Sequence, residues 1–277
     1  MKILVPIKRV ADPDNANKVK VAADGQKVTS DGLEWKLNPF DEYAVETALR
    51  LNENAKTSEK LGETIVTSIG NKDVAQTMRQ ALAMGADRGV LVAAEDDQLD
   101  SLVVARTLKA LVDQEKPDVV IMGKQAVDGD SNTSGQMLAE MLGWPMATFA
   151  ATISTSDGGK SFVVGREVDT GVLTLKVTGP CVITVDLRIV TPGAVKNGVT
   201  PADHPYAEGA RYASLKGIMA AKKKPIAETA LKALNVDATT ATKYLKFELP
   251  PARKGGAVFV ASVDELVEKL RTEAKVL

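Results

Sequence analysis

Apolar and polar positions along the chain alternate between two periods. Residues 2–7 form a short, β-branched apolar run, the pattern of a strand buried on both faces, and residues 64–69, 89–93 and 118–122 repeat it. Between these runs the spacing turns helical. Asn38 predicts a helix cap with Pro39 in the first turn and acid behind it, and Ala44, Val45, Ala48 and Leu49 then share one face. Asn71 predicts the cap of a second helix that faces inward through Val74, Met78, Ala81 and Leu82 and stops at Gly85. A third helix carries Val104, Leu108 and Leu111 until Lys116 and Pro117 break it, and a fourth carries Met137, Leu138, Met141 and Leu142. Strand and helix in this rhythm predict βαβ units around a mostly parallel sheet with flanking helices, an α/β fold.

Other stretches break the rhythm. Residues 18–21 and 27–29 flank Asp24-Gly25, a hairpin signal. After about residue 146, the runs 148–155, 161–168, 172–177 and 181–185 predict short strands, read as antiparallel additions to the sheet. Residues 190–210 are rich in Pro, Gly, Asn and Asp and predict a long loop. Ser262 and Glu265 form a capping box at the start of a helix with Leu266, Val267 and Leu270 on one face, within a C-terminal helical arm over residues 258–277. No internal repeat is visible, and the whole chain, 1–277, reads as a single domain.

Composition narrows the chemistry. Aromatic residues are 4% of the chain, so Val, Leu, Ile and Ala must fill the core. Lys and Arg number 35 against 36 Asp and Glu, a balance that gives no global case for nucleic acid or an anionic membrane. No apolar run suggests direct membrane insertion, and no targeting segment precedes the first strand, so the expected location is cytoplasmic. One cysteine, Cys181, excludes an intramolecular disulfide or a multi-Cys metal site, and it begins an apolar run, as a buried inert residue would. One histidine, His204, sits alone in the polar loop. No Ser-His-Asp arrangement, paired-acid site or G-x-G-x-x-G loop is present, and Gly159-Lys160-Ser161 lacks the leading glycine of a phosphate loop.

Two stretches hold candidate chemistry. Gly123, Lys124, Gln125, Ala126, Val127, Asp128, Gly129, Asp130, Ser131, Asn132, Thr133 and Ser134 run from a strand end to a helix start. Ligands of open parallel sheets bind beyond the carboxyl ends of strands, where a helix amino terminus offers N–H groups to a phosphate. Asp128 and Asp130 oppose an anion unless they point elsewhere, and a simple polar turn with a capped helix fits the same residues. The second stretch, residues 211–225, spaces Leu215, Ile218 and Met219 as one apolar helical face and follows it with Lys222, Lys223 and Lys224. It reads either as an amphipathic helix closing on the core or as an apolar anchor rimmed by positive charge for an acidic partner.

The blocks Val5-Pro6-Ile7-Lys8-Arg9-Val10, Leu37-Asn38-Pro39-Phe40-Asp41-Glu42, Ala83-Met84-Gly85-Ala86-Asp87-Arg88-Gly89, residues 123–137 with Trp144-Pro145, Asp186-Leu187-Arg188 and residues 211–225 closely resemble the small (β) subunit of electron-transfer flavoproteins. The resemblance implies an adenine-nucleotide-hydrolase-like α/β domain paired with a larger (alpha) subunit that holds FAD. It implies AMP in this subunit, bound by Pro6, Asn38, Pro39, Phe40, Asp41, Ile69 and residues 123–134, with the phosphate on the amides of Asn132, Thr133 and Ser134. It also implies a recognition loop at about 211–225 whose Leu215 enters a partner dehydrogenase. In this reading no residue is catalytic, and the subunit helps carry electrons from flavin dehydrogenases, such as the acyl-CoA dehydrogenases of fatty acid oxidation, to a membrane quinone reductase. Three departures stand out: Ala11–Asn15 differ from the family's usual segment, the loop of residues 190–209 is long, and Gly129 is shared with the bifurcating branch, which binds a second FAD. That branch is the alternative, and a nucleotide-cleaving enzyme or a nucleotide sensor on the same fold is the alternative from another class.

Overall fold

The computed structural model describes residues 1–29, 31–251 and 255–277, which fall into two compact units. The larger spans residues 1–19 and 30–244, and the smaller spans 20–29 and 245–277.

A ten-stranded sheet organises the larger unit. Its strands in chain order are β1 (Lys2–Pro6), β2 (Glu63–Gly70), β3 (Arg88–Ala93), β4 (Val119–Gly123), β5 (Met146–Ser154), β6 (Ser161–Val168), β7 (Gly171–Thr178), β8 (Cys181–Val185), β9 (Val195–Lys196) and β10 (Ile226–Ala230). Across the sheet they run β7-β6-β5-β8-β4-β1-β2-β3-β10, with β9 beside β5. The helices α1 (Pro39–Leu51), α2 (Val74–Met84), α3 (Ser101–Glu115) and α4 (Ser134–Leu142) cover both faces. Alternation along β1 separates the two cores. Ile3 and Val5 pack with Ala44, Val45 and Ala48 of α1 and Met78, Ala81 and Leu82 of α2. Leu4 packs with Leu108 and Leu111 of α3 and Leu138 of α4. The chain winds outward from β1 through β2 to β3, then crosses back by α3 to place β4 on the other side of β1. Connections diverge between β1 and β4, so a crevice opens there at the strand ends.

The periodic elements fall where the apolar spacing predicts them, and several details differ. Asn38 occupies the cap position of α1 but makes no side-chain cap bond, because its amide is committed elsewhere. Asp73, not Asn71, immediately precedes α2, and Asn71 Oδ1 instead accepts the Asp73 N–H at 3.1 Å. Of the four short strands after residue 146, only β6 and β7 extend the sheet antiparallel. β5 and β8 join the parallel part because β8 inserts between β4 and β5. The stretch 190–210 is fastened rather than loose. β9 pairs with β5, the Arg50 guanidinium donates to the carbonyls of Val190, Thr191, Ala207 and Gly209, and the Asn197 amide donates to Arg50 O and Glu53 O near the end of α1.

In the smaller unit, Lys20–Val21 pairs with Val28–Thr29 around Gly25, whose φ of 69° is open to glycine. The Phe247 N–H donates to Gly25 O at 2.8 Å. Helix α5 (Leu215–Ala221) belongs to the larger unit and α6 (Val263–Thr272) to the smaller. Ser262 Oγ accepts the Glu265 N–H at 3.2 Å, but Glu265 returns its carboxylate to Ala261 N rather than to Ser262.

Candidate functional site

The crevice between β1 and β4 is built on Asp41 and Asn38, side by side at the start of α1. Asp41 Oδ2 accepts the Lys8 N–H just past β1 at 2.8 Å, and Oδ1 accepts the Gly123 N–H at the end of β4 at 3.2 Å. One carboxylate thus joins the two diverging strands. A Cβ on Gly123 would run into this carboxylate and into Phe40, so the approach requires glycine. Asn38 extends the seam: Nδ2 donates to Gln125 O at 2.9 Å and Oδ1 accepts the Val127 N–H at 3.1 Å. These bonds draw Asn38, Asp41 and the loop 123–127 into one body. Burial pushes the Asp41 carboxyl up to about 7 from its ordinary 3.8, against the lowering pull of the Lys8 amide, Asn38 and the Gly123 amide.

The two acids that argue against an anion are both engaged. Asp128 pairs with Lys8 Nζ at 2.8 Å, and Asp130 Oδ1 accepts from Gln125 Nε2 at 2.7 Å. Asp130 and Asn132 hold φ values of 50° and 48°, a conformation Asp and Asn tolerate better than most residues. The loop then delivers α4, whose cap residue Thr133 makes no side-chain cap bond, leaving the first-turn N–H groups without a side-chain partner. Gln136 Nε2 donates to Asn132 Oδ1 at 3.0 Å while its Oε1 is buried with no partner. Pro6 is buried at the end of β1, and Ile69 is half-buried near the end of β2, packed on the α3 side of the sheet. Ser131 and Ser134 lie beside the same helix start.

Three residues that sequence reasoning leaves without a role complete the rim. Lys8 holds Asp128, and Asp186 Oδ2 accepts from Lys124 Nζ at 2.6 Å. Both stand inside motif blocks, which is the only signal for them. Phe149 carries none: it sits in β5 with a φ of 54°, and Lys124 Nζ lies over its ring at 5.2 Å and over that of Phe40 at 5.1 Å.

Residues 211–225 form a separate region. Leu215 is 79% exposed, Met219 57% and Ile218 44%, so the apolar face turns to solvent rather than to the core. Lys222 and Lys223 are exposed beside it. Lys224 does not join them, because its ammonium donates to Leu82 O and Ala86 O at the end of α2, and burial pulls it below the usual lysine range. A cavity of about 490 Å³ lies away from the crevice, near the amino ends of β2 and β3, and its walls include Glu46, Arg50, Glu53 and Tyr206. Its side chains Glu46, Arg50, Glu53 and Arg211 are paired with one another. Among the described residues no group of three His, Cys, Asp or Glu side chains is placed to hold a metal, and no helix is long and apolar enough to cross a membrane. Cys181 is buried, and burial pushes its thiol up to about 12.

Fold and crevice together define an open α/β protein with a polar, amide-lined seam at its switch point. Residues 26–234 match the electron transfer flavoprotein domain. Over the full length of both chains, the protein is 47% identical to the electron transfer flavoprotein subunit beta of Bradyrhizobium diazoefficiens and 43% identical to the mitochondrial subunit beta of Arabidopsis thaliana. Against the subunit beta of Homo sapiens it is 40% identical, covering 98% of this chain and 97% of the human one. The chain belongs to the beta-subunit family of electron-transfer flavoproteins, as its motif blocks imply.

Proposed function

We propose that this beta subunit binds AMP in the crevice between β1 and β4 and, beside a larger alpha subunit, carries electrons from flavin dehydrogenases of the acyl-CoA type toward a membrane quinone reductase. FAD held mainly by the alpha subunit supplies the redox chemistry. The observation that carries the nucleotide reading is the Asp41–Asn38 seam, which fixes residues 123–127, the start of the loop 123–134, against the strand ends. What that loop leaves without a side-chain partner suits a nucleoside monophosphate. The first-turn amides of α4, with those of Asn132, Thr133 and Ser134, favour a phosphate, and the buried Gln136 Oε1 awaits a donor. Lys8 offsets the charge of Asp128, and the Gln125 amide holds the Asp130 carboxylate within the loop. Phe40, Pro39 and Ile69 contribute apolar surface near the same strand ends. In this reading Leu215, Ile218 and Met219 dock the dehydrogenase, and Lys222 and Lys223 are the rim charges that steer it.

A second reading keeps FAD in place of AMP. Gly129 favours it, since a Cβ there would meet nothing nearer than Ser131 Oγ at 3.9 Å, leaving room beyond the first phosphate. Both ligands share the adenosine and that phosphate. Acid extraction of the purified heterodimer decides between them: one AMP and one FAD per heterodimer are expected, and two FAD with no AMP would replace the first reading by the second.

A further inference from the structure

The exposed segment 211–225 is gripped at both ends by side chains that the nucleotide crevice does not use. At its start, Arg211 Nε donates to Glu46 Oε2 at 2.6 Å, while Nη1 and Nη2 reach the two carboxylate oxygens of Glu53 at 2.9 and 2.7 Å. Glu46 is almost fully buried on α1 and already holds Arg50 Nε at 2.7 Å. At the other end, Lys224 donates to Leu82 O in α2 and to Ala86 O just past it, and Arg79 Nη1 donates to Ala221 O and Lys224 O. Between the grips, Ser214 caps α5 through the Gly217 N–H at 3.0 Å. Gly217 lies so close to Ala83 O that an added Cβ would stand 2.5 Å from it. The backbone is fixed from behind and the apolar side chains are left in front: Tyr212, directly after Arg211, is almost wholly exposed.

The two carboxylates are shared with more than the fold requires. Removing Arg211 leaves Glu46 paired with Arg50 and leaves Glu53 with the Tyr206 hydroxyl at 3.1 Å and with water, so no buried charge is orphaned. What the removal takes from the start of the exposed segment is the guanidinium fork, leaving the Arg211 N–H on Glu46 Oε2 at 3.2 Å as its one remaining tie to these carboxylates. We propose that Arg211 is a positioning residue for partner docking: by spanning Glu46 and Glu53 it holds the apolar face of Leu215, Ile218 and Met219 in its binding shape before the partner arrives. Ordering a loop upon association weakens it, and a preformed face avoids that cost. The inference rests on the docking reading of residues 211–225 given above.

The test uses the heterodimer with its alpha subunit and a flavin dehydrogenase as electron donor. Arg211→Gln removes the cation, Arg211→Lys keeps the charge but loses the planar fork, and Leu215→Ala probes docking itself. The readouts are KM and kcat for the heterodimer as acceptor, amide hydrogen exchange over 212–221, and flavin content. Arg211→Gln should raise KM about tenfold, with a smaller change in kcat, faster exchange over 212–221 and unaltered flavin content, and Arg211→Lys should fall between it and the unmodified protein. A raised KM in Leu215→Ala beside an unchanged KM in Arg211→Gln would overturn the positioning role while leaving docking intact. An unchanged KM in Leu215→Ala would bring down the docking reading and the role assigned to Arg211 with it. Failure of both Arg211 variants to assemble would make Arg211 a folding residue and overturn the proposal too.

Discussion

At the scale of single residues, Asp41 does the work of a fastener. The sequence marks it as an acid in a first helical turn, where a favourable interaction with the helix dipole is the expected role. Its partners, the amides of Lys8 and Gly123, lie 33 and 82 positions away, and no local pattern announces them. Burial raises its carboxyl to about 7, so the folded state holds the proton more tightly than the unfolded chain, where the ordinary value is 3.8. The contribution to stability is therefore complete below about pH 4 and is lost as pH rises to 7, at about 1.4 kcal/mol per pH unit. Asp41→Asn removes this dependence. The unfolding free energy of the unmodified protein minus that of Asp41→Asn should fall between pH 4 and pH 7 and level off above, as measured by urea denaturation across that range. A flat difference would show that Asp41 titrates as an ordinary surface acid.

At the scale of elements, periodicity made β1 to β4 and α1 to α4 legible, because each buries a continuous apolar face against the sheet. The place of β8 was not legible, since an apolar run of five residues looks alike in parallel and antiparallel company. The long connection after Val190 was legible only as polar and irregular. What orders it is a charged residue inside a helix: Arg50 is 2% exposed and supplies four of the connection's carbonyls with donors. Glu46 and Arg50 stand one turn apart, a spacing that surface pairs also show, so nothing in the sequence marks them as buried. Arg50→Met should leave Glu46 with Arg211 as its remaining cation and take the guanidinium donor from the carbonyls of Ala207 and Gly209, at a cost of about 2–3 kcal/mol. Thermal unfolding should report the loss, and limited proteolysis should cut first within residues 190–210; a protease-resistant loop would show that β9 and Asn197 suffice to hold it.

At the scale of the whole molecule, the candidate site draws on the motif blocks at residues 5–10, 37–42, 123–137 and 186–188, whereas the block 211–225 stands apart, and there Lys224 is turned to a structural task. Motifs reveal which residues matter together, whereas the direction of a lysine depends on carbonyls more than a hundred positions away. Organisation was harder to read, because the segregation of residues 20–29 with 245–277 follows from contacts across most of the chain length. Among the described residues, both apolar cores lie wholly within the larger unit, and α6 buries none of its side chains. A chain stopped after Tyr244 should thus still unfold cooperatively, with its melting temperature within a few degrees of the full-length value, since about 1 kcal/mol shifts it by about 2–4 °C at this size. Loss of the cooperative transition in calorimetry would show that the smaller unit supports the core after all.

The crevice also has a place in time. Asn38 and Val127 meet across 89 positions and Lys8 and Asp128 across 120, so the cleft closes only when the first and fourth strands are already neighbours. Contacts of such span form late, after the nearer ones have reduced the entropy of closure. A ligand that needs this cleft therefore gives no guidance to the early steps of folding. It rewards completion instead, stabilising the finished protein with the logarithm of its concentration once that exceeds the dissociation constant. A growing chain that has not yet reached residue 123 has nothing with which to hold it.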